Sequence, residues 1–414
     1  MTANSEGQFI AYNDIWLLDG VRTPFADYNG ILGLVSPIDL GIKVARAVLE
    51  RATISPSDVG AVIAGSVAQA SFDAYVLPRH IGLYANVPID RPALLVQRVC
   101  GTGIEAISQA ADAITLKKIE LGLCVGTESM SRNPVAAFTH RNGFRMGQVE
   151  FKDFLWEALL DTAPGVTMGE TAEAVAKVYK ITREDVDRFA EMSFSRALAA
   201  QKSCFLSGEI VPLVSEKFER AGYKPRGIQL PREVEQLTAD THIRSSTYET
   251  LSKIRPAFGG VQTGGNSSAI VDGAAAALVS SGVYAKSKSI EPLARIAAVA
   301  TVGVPPETMA MGPAPAIRRL LDGVGLTLGQ IDRIEINEAF GAQTLAVVRE
   351  MEIDTSKLNV NGGAIAIGHP LAATGIRLAV TLSRELRRSK LRYGIASACI
   401  GGGQGIALLV ENTK

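Results

Sequence analysis

The sequence has few of the residues that stabilise small secreted proteins. Its 414 residues include four cysteines, four histidines and only 6% aromatic side chains. Cys100, Cys124, Cys204 and Cys399 lack metal-ligand spacing and are too few for a disulfide framework in so long a chain. Residues 1–13 carry no apolar signal core. We therefore expect a protein of a reducing compartment, the cytoplasm.

An excess of either charge is also absent. The chain has 42 Lys and Arg against 42 Asp and Glu, which gives a formal net charge of zero. This balance gives no reason to expect nucleic acid or an anionic membrane as a partner. No run of about 18 apolar residues is free of charges or helix breakers, so no membrane span is predicted. A hydrophobic content of 47% instead predicts a large folded core.

Short apolar strands alternate with amphipathic helices in residues 14–130. The predicted strands are Ile15–Leu18, Val59–Ala64, Leu94–Val99 and Leu121–Val125, and the predicted helices are Leu40–Arg51 and Ile104–Leu116. Alternation of this kind predicts a sheet covered by helices, an α/β fold.

A similar order of elements returns near the C-terminus at one constant offset. The triplet Thr102-Gly103-Ile104 precedes Thr374-Gly375-Ile376 by 272 residues, and the same offset relates Gly122 to Gly394. Strands are predicted there at Ile331–Ile336, Tyr393–Ala398 and Gly405–Val410, and helices at Ile317–Leu321 and Ile376–Leu386. One offset through separated motifs indicates a duplication, with two similar halves packed about a pseudo-two-fold axis.

About 150 residues separate the two halves. The chain is therefore predicted to form three structural units. We expect an N-terminal core half at 1–130 and 256–285, an inserted loop domain at 131–255, and a C-terminal core half at 286–414. The insertion is richer in charge and contains predicted helices at Thr171–Tyr179 and Arg183–Lys202. Thr182 with Asp185 forms an N-cap pattern before the second helix.

A cysteine stands in the turn between a predicted strand and a predicted helix. In Val99-Cys100-Gly101-Thr102-Gly103 the sulfur lies at a helix N-terminus, where unpaired N–H groups favour a thiolate. Taken alone, the turn fits a buried core cysteine equally well. The 272-residue offset, however, places this turn opposite a glycine-rich loop that carries His369. This pairing favours a functional Cys100 and His369.

Two further motifs add polar groups at the ends of strands. Cys399 precedes Gly401-Gly402-Gly403, whose exposed N–H groups suit an oxyanion hole. Asn337-Glu338-Ala339-Phe340 directly follows an apolar strand. One cysteine as nucleophile, a histidine to handle the proton and a second cysteine as base suit acyl transfer from a thioester.

The remaining cysteines and histidines give no functional signal. Cys124 lies inside an apolar strand and is predicted to be a core residue, and Cys204 is predicted to be structural. His80, His140 and His242 have no supporting context.

Together the motifs resemble those of the thiolase family, the acyl-CoA acetyltransferases, from about residue 14 onward. The matching segments are Val99–Gly103, Gly126–Ser131, Asn337–Phe340, Gly362–Pro370 and Cys399–Gly405. The resemblance implies a thiolase-like duplicated α/β fold in a layered αβαβα core with an inserted loop domain. It also implies a ping-pong condensation of acyl-CoA with acetyl-CoA, or the reverse cleavage of 3-ketoacyl-CoA.

The resemblance further implies a role for each matching residue. Cys100 would accept the acyl group, His369 would activate it, and Cys399 would deprotonate the acetyl carbon. Asn337 would hold a water in an oxyanion hole shared with His369. The backbone N–H groups of Cys100 and Gly401 would form a second oxyanion hole for the acyl-enzyme.

The substrate contacts implied by the resemblance lie around these groups. Met168, Met309 and Phe340 match positions lining the acyl pocket, Ser268 a serine near the pantetheine, and Arg244 a basic residue near the adenosine. Acetyl-CoA, acyl-CoA or 3-ketoacyl-CoA and CoA would be the substrates and products in fatty acid metabolism. The family implies no metal or other cofactor, and a homodimer or homotetramer.

The chain departs from the family pattern only around the CoA site. Thr167-Met168-Gly169 replaces a common His-Met-Gly, and Asp240-Thr241 replaces an Asp-Glu pair before the arginine. The loop Thr263–Ser268 also differs from the usual Thr-Ala-Gly-Asn-Ala-Ser. Two alternatives stay open, a decarboxylating ketoacyl synthase of the same fold and a catalytically inactive subunit. Cys399 argues against the first, since decarboxylation generates the carbanion without a base.

Overall fold

A mixed eleven-stranded sheet forms the core of the protein. The structure, a computed structural model, describes residues 7–68, 73–138 and 140–414, without the side chain of His140. The strands of the first part of the chain are β1 (Gln8–Ala11), β2 (Ile15–Arg22), β3 (Ala26–Asp27), β4 (Ala61–Gly65), β5 (Ala93–Leu95) and β6 (Leu121–Glu128). Three helices accompany them: α1 (Pro37–Arg51), α2 (Leu77–Tyr84) and α3 (Thr102–Thr115).

The middle of the chain forms short hairpins and four helices. The strands are β7 (Val135–Ala136), β8 (Lys152–Asp153), β9 (Leu160–Asp161), β10 (Val166–Thr167), β11 (Leu213–Val214), β12 (Glu216–Phe218), β13 (Arg226–Ile228) and β14 (Gln236–Leu237). The helices are α4 (Phe154–Ala158), α5 (Met168–Val178), α6 (Arg183–Lys202) and α7 (Tyr248–Leu251). Thr182 and Asp185 cap α6 reciprocally, so the predicted helix and its start are confirmed.

The last third of the chain returns to the large sheet. Its strands are β15 (Val271–Ser281), β16 (Ala294–Gly303), β17 (Arg333–Ile336), β18 (Tyr393–Ile400) and β19 (Gln404–Glu411). Its helices are α8 (Gly282–Ser287), α9 (Pro313–Val324), α10 (Gly341–Met351), α11 (Ala364–Ile367) and α12 (Leu371–Ser389). No helix of the described ranges is long and apolar enough to cross a membrane.

The two halves of the sheet have the same strand order. One half reads β5-β4-β6-β15-β2, and the other reads β17-β18-β19-β16, extended beyond β17 by a parallel bridge from Ile334 to Leu358. The pair β4 and β6 is parallel, as is β17 and β18, whereas β15 and β19 each run antiparallel to both neighbours. The predicted duplication is confirmed.

Two central helices cross where the halves meet. A Cβ added to Gly103 of α3 would lie 2.5 Å from the backbone nitrogen of Ile376, and one added to Gly375 of α12 would clash equally with Ile104. Both helices belong to the large buried cluster between the two halves of the sheet, while α1 covers the opposite face of β2, β4, β6 and β15. Because Gly103 and Gly375 are related by the offset, the pseudo-two-fold axis passes between them.

The two halves of the sheet are joined over a short distance only. Strands β2 and β16 pair at Trp16 and Leu17, opposite Arg295 and Ala294, and at no other described position. Past Leu17 the strands separate, and β2 continues along β15 alone. This divergence opens a cleft between the halves.

One strand is shorter in the structure than the sequence predicted, and the second half of the prediction is wrong. The strand expected at Leu94–Val99 ends at Leu95, and the last hydrogen bond to its neighbour runs from Val96 N to Ala64 O at 3.0 Å. The chain then turns sharply, because Val99 adopts a left-handed φ of 44°. Cys100 therefore follows a folded turn rather than a strand.

Candidate active site

Cys100 sits in a strained turn just before α3. Val99 has a φ of 44°, which is unfavourable for a β-branched residue, and the Thr102 hydroxyl holds the turn closed. Its oxygen accepts from Arg98 N at 2.9 Å and donates to Val99 O at 2.7 Å. A tight turn before a helix N-terminus is how a nucleophile is presented in other folds.

Two backbone N–H groups face the Cys100 sulfur. They belong to Gly401 and to Cys100 itself, and both favour the thiolate. Burial outweighs them and raises the pKa of the Cys100 thiol to about 11. The free protein thus holds Cys100 as a thiol that needs a base. The same pair of N–H groups can stabilise an anionic oxygen at this position.

His369 is buried between Asn337 and Thr374. Its Nδ1 lies 2.6 Å from Thr374 Oγ1, and that hydroxyl donates to Pro370 O at 3.1 Å. The hydroxyl therefore accepts from Nδ1–H, which leaves Nε2 unprotonated and 3.2 Å from the donor Nδ2 of Asn337. Burial, assisted by the charge of Arg377, lowers the pKa of His369 to about 3. A neutral base is available at physiological pH.

One polar atom of Asn337 lacks a hydrogen-bond partner in the described part of the chain. Its Oδ1 is buried and has no hydrogen-bond partner among the described residues. Buried polar atoms are nearly always satisfied by protein or ordered water. A water or ligand atom beside Asn337 and His369 would complete its hydrogen bonding.

Cys399 lies at the end of β18, next to Cys100. It packs against Met309 and Ala339, with Met168 and Phe340 at the edge of the cluster. Burial raises the pKa of Cys399 above its usual range, and the negative charge of a Cys100 thiolate raises it further. The two sulfurs therefore share one environment, in which neither is ionised in the free protein.

A cavity of about 610 Å³ leads from the surface to His369. Met168, Ser268 and Phe340 line it, together with Leu371 beside His369. Arg244 does not line it but adjoins His242, which does: its Nη1 donates to His242 O at 3.2 Å and its guanidinium covers the Phe194 ring. Met309 is absent from the wall and contacts Cys399 instead.

The glycine-rich loop before β15 connects the cavity to the catalytic loops. Ser268 N donates to Ala339 O at 3.0 Å, and Ala269 O accepts from His369 N at 3.0 Å. The loop thereby fixes the backbone of both the Asn337 and His369 segments. Its own shape depends on Asn266, a buried amide that donates to Asp187 of α6 at 2.8 Å.

Two buried carboxylates lie inside motifs named in the sequence analysis, which assigned neither of them a role. Glu128 accepts from Val67 N, Ala68 N and Ala372 N at 3.0–3.1 Å, which joins both halves beside Cys100. Glu338 accepts from Ser193 Oγ at 2.6 Å and from Ile365 N at 3.1 Å, which fixes α11 just before His369. A carboxylate at the end of an apolar strand is the signal that could have found them.

The remaining cysteines and histidines can be compared with their predicted environments. Cys124 is a core residue as predicted and donates to Ala106 O. Cys204, predicted to be structural, is exposed just after the end of α6. His242, expected to have no context, lines the cavity and hydrogen-bonds Asp27 at 2.5 Å. No described group of three His, Cys, Asp or Glu residues could hold a metal ion.

Comparison with known proteins gives one consistent result. Family models described as "Thiolase, N-terminal domain" and "Thiolase, C-terminal domain" match residues 15–282 and 290–412. The chain is 40% identical over 403 residues to the mitochondrial 3-ketoacyl-CoA thiolase of Bos taurus, covering 96% of this chain and 98% of the relative. It is 41% identical over 404 residues to an acetyl-CoA acetyltransferase of Cupriavidus necator, covering 96% and 99%.

A solved structure agrees over the same length. The human mitochondrial 3-ketoacyl-CoA thiolase in complex with CoA superposes with a TM-score of 0.91 at 39% identity, covering 97% of this chain and 98% of that chain.

Proposed function

The chain belongs to the thiolase family of acyl-CoA acetyltransferases, and from that premise we propose how its residues perform the reaction. The observation that carries the proposal is the arrangement of Cys100, His369 and Cys399 around one buried position. His369 lines a cavity, Cys100 packs with Leu371 of the same wall, and Cys399 packs behind Met168 and Phe340 of that wall. Two backbone N–H groups face the nucleophile.

In the first half-reaction, we propose that the Cys100 sulfur attacks the thioester carbonyl carbon of an acyl-CoA. His369 Nε2 takes the thiol proton, since burial keeps this imidazole neutral. The N–H groups of Cys100 and Gly401 hold the oxygen that becomes negative. Collapse of the tetrahedral intermediate breaks the carbon–sulfur bond to CoA, and the departing thiolate takes the proton from His369.

In the second half-reaction, acetyl-CoA enters and Cys399 removes a proton from its methyl carbon. Acylated Cys100 cannot carry the negative charge that would raise the pKa of Cys399 further, so Cys399 gives up its own proton to solvent more readily and acts as a thiolate. The Cys100 thiolate released at the end of the step takes up a proton in turn. A water held by Asn337 donates to the enolate oxygen, since His369 Nε2 carries no proton at this stage. The carbanion attacks the acyl-Cys100 carbonyl, which releases the Cys100 sulfur and forms the carbon–carbon bond. The reverse sequence cleaves a 3-ketoacyl-CoA.

Mass spectrometry after incubation with acetyl-CoA tests the two cysteines separately. We expect the wild type to gain one acetyl group on Cys100 and the Cys100→Ser variant to gain none and to lose turnover. Cys399→Ser should still acetylate Cys100 but should fail to condense. Cys204→Ser, an exposed control, should behave as wild type. Unchanged turnover in Cys100→Ser, or normal condensation in Cys399→Ser, would refute these roles.

We propose acyl-CoA, acetyl-CoA, 3-ketoacyl-CoA and CoA as the ligands of the 610 Å³ cavity, with no metal or further cofactor. Ser268 would contact the pantetheine, Arg244 the adenosine end, and Met168, Met309 and Phe340 the acyl group. Met309 would act from behind Cys399 rather than from the cavity wall. A panel of 3-ketoacyl-CoA substrates of increasing length tests this pocket through the ratio kcat/KM.

We also propose a cytoplasmic homodimer or homotetramer in fatty acid metabolism. Its domains would be a core half at 1–130 and 256–285, a loop domain at 131–255 and a core half at 286–414. The sparse cysteines support the compartment, and the repeated strand order supports the division into halves.

A further inference from the structure

A second cleft, of about 980 Å³, opens at the far end of α12 from His369. It lies where β2 and β16 diverge, and the C-terminal ends of α1, α8 and α12 surround it. Arg384 lines it thirteen residues after Leu371, which places it about 20 Å along the helix from the catalytic end. The cleft and the thiolase site therefore share one rigid helix but no lining residue.

The wall of this cleft is basic. Five cationic residues face it against two acidic ones; the cations are Arg51, Lys288, Arg384, Arg387 and Arg388, and the acids are Asp19 and Glu291. Four of the cations have a carboxylate partner. Arg51 pairs with Asp19, Arg387 with Glu291, Lys288 with Asp58 and Arg388 with Glu385.

Arg384 is the exception. Its guanidinium forms neither an ion pair nor a hydrogen bond with any described residue, and its buried Nε has no partner. Its guanidinium lies near the Phe205 ring, 5.7 Å from the centroid, and against the backbone of Gly208. Burial lowers the pKa of Arg384, and the charge of Arg51 lowers it further, whereas the carboxylates of Glu209 and Asp19 oppose this shift without contacting the guanidinium. A buried Nε–H without an acceptor, on a half-buried guanidinium without a salt bridge to any described residue, leaves this cation free to take an anionic partner.

Apolar side chains also line the cleft. Leu18 and Leu293 are buried at its base, Phe205 forms one wall, and Ile290 lies beside them. The guanidinium of Arg388 covers the same Phe205 ring at 4.7 Å, on the side towards solvent. A ligand that fits must therefore carry both an anionic group and an apolar body.

We propose that this cleft binds a small amphipathic anion, whose phosphate or carboxylate group pairs with Arg384 while its apolar body packs against Phe205 and Leu293. A planar guanidinium donates two parallel hydrogen bonds to either group, which gives orientation as well as charge neutralisation. The site is separate from the CoA cavity and takes no part in the proposed reaction.

Thermal unfolding with two probes tests the site in the full chain. Phenyl phosphate and hexanoate represent the two anion sources, and phenol is the uncharged comparison. We expect at least one anion at millimolar concentration to raise the unfolding midpoint of the wild type by a few degrees, and phenol to leave it unchanged. Arg384→Gln should lose the rise. Whichever anion acts identifies the headgroup.

Two control variants locate the effect. Arg188→Gln removes an exposed arginine outside both cavities, and Arg244→Gln removes the basic residue beside the CoA cavity. Both should keep the rise. No rise in the wild type, a rise retained in Arg384→Gln, or a rise lost in Arg244→Gln would each overturn the proposal, the last because it places the anion in the CoA cavity.

A second measurement needs no variant of Arg384. Cys204 is exposed and lines the same cleft, whereas the other three cysteines are buried. Iodoacetamide should alkylate Cys204, and the anion that raises the unfolding midpoint should slow this alkylation at least threefold, as read by peptide mass spectrometry. An unchanged rate at Cys204 would reject the site even if Arg384→Gln fails to fold.

Discussion

At the scale of single residues, the catalytic groups are all uncharged before substrate arrives. Burial raises the pKa of Cys100 to about 11 and lowers that of His369 to about 3, so the proton stays on sulfur in the free protein. An ion pair of thiolate and imidazolium is thereby disfavoured. The oxyanion site at Cys100 N and Gly401 N gives the developing negative charge its own donors. The negative charge therefore develops on the substrate oxygen, next to these two N–H donors.

Asn337 is expected to matter for rate rather than for folding. Replacing it by alanine removes the donor to His369 Nε2 and the unpaired Oδ1. We expect Asn337→Ala to lower kcat for condensation by about 10²–10³-fold, the range for one lost oxyanion-site group. Acetylation of Cys100 by acetyl-CoA should persist. Steady-state kinetics with mass spectrometry checks both, and an unchanged kcat would contradict the role.

Acid should destabilise the protein through His369. The unfolded residue has an ordinary pKa near 6.5 and the folded residue one of about 3, so between these values the unfolded state holds one more proton. Stability should therefore fall by about 1.4 kcal/mol per pH unit from this residue alone as pH drops below 6.5.

Urea unfolding at several pH values measures this contribution. Between pH 6 and pH 4, the free energy of unfolding of His369→Gln should change with pH by about 1.4 kcal/mol per pH unit less than that of the wild type. His80→Gln, which removes a half-exposed histidine, should change the slope much less. Parallel curves for wild type and His369→Gln would show that the folded histidine titrates normally.

At the scale of elements, regular helices and buried strands were predictable because their signals are local. Helix α6 begins at Arg183 and ends at Lys202 as predicted, since a capping box and an apolar face fix it. The turn at Cys100 was not predictable. Val99 adopts a positive φ because the Thr102 hydroxyl and the surrounding packing hold it there, and no propensity favours that conformation.

The crossing of α3 and α12 leaves no room for a side chain at its centre. We expect Gly103→Ala to reduce the free energy of unfolding by on the order of 3 kcal/mol, because the added methyl meets backbone atoms of Ile376 and Ala372 that cannot move independently. Gly303→Ala, with open space around the glycine at the end of β16, is the matched control and should be nearly neutral. Equal stabilities of the two variants would contradict the contact.

At the scale of the whole molecule, the site is assembled from both halves and the insertion. Glu128 bonds Ala372 across the halves, and Asn266 bonds Asp187 of α6. The catalytic side chains could be found in the sequence because each stands in a glycine-rich motif. Their supports could not, since Glu128 and Ala372 are 244 residues apart and only the tertiary fold brings them together. For the same reason, the sequence did not indicate that His242 lines the cavity.

The sheet ends at an exposed edge, which bears on assembly. Strand β5 is the last strand beyond β4, and Leu94 on it is 49% exposed. Unpaired edges with apolar residues favour association with another chain. We expect sedimentation to give a multiple of 43.8 kDa, and Leu94→Lys to shift the protein towards the monomer. Leu116→Lys replaces an exposed leucine at the end of α3 and should not. A monomeric wild type would refute this expectation.

The crossing at Gly103 and Gly375 also has a consequence for ancestry. Two identical halves around a two-fold axis would present two equal reaction centres, back to back on one pair of helices. In this chain the counterpart of Cys100 is Ala372, and the counterpart of Cys399 is Thr127. Duplication within one gene let the two copies diverge, which separate identical subunits cannot do. The two halves are therefore not equivalent, since one supplies the nucleophile and the other the histidine loop, and the molecule has a single asymmetric site where exact symmetry would give two.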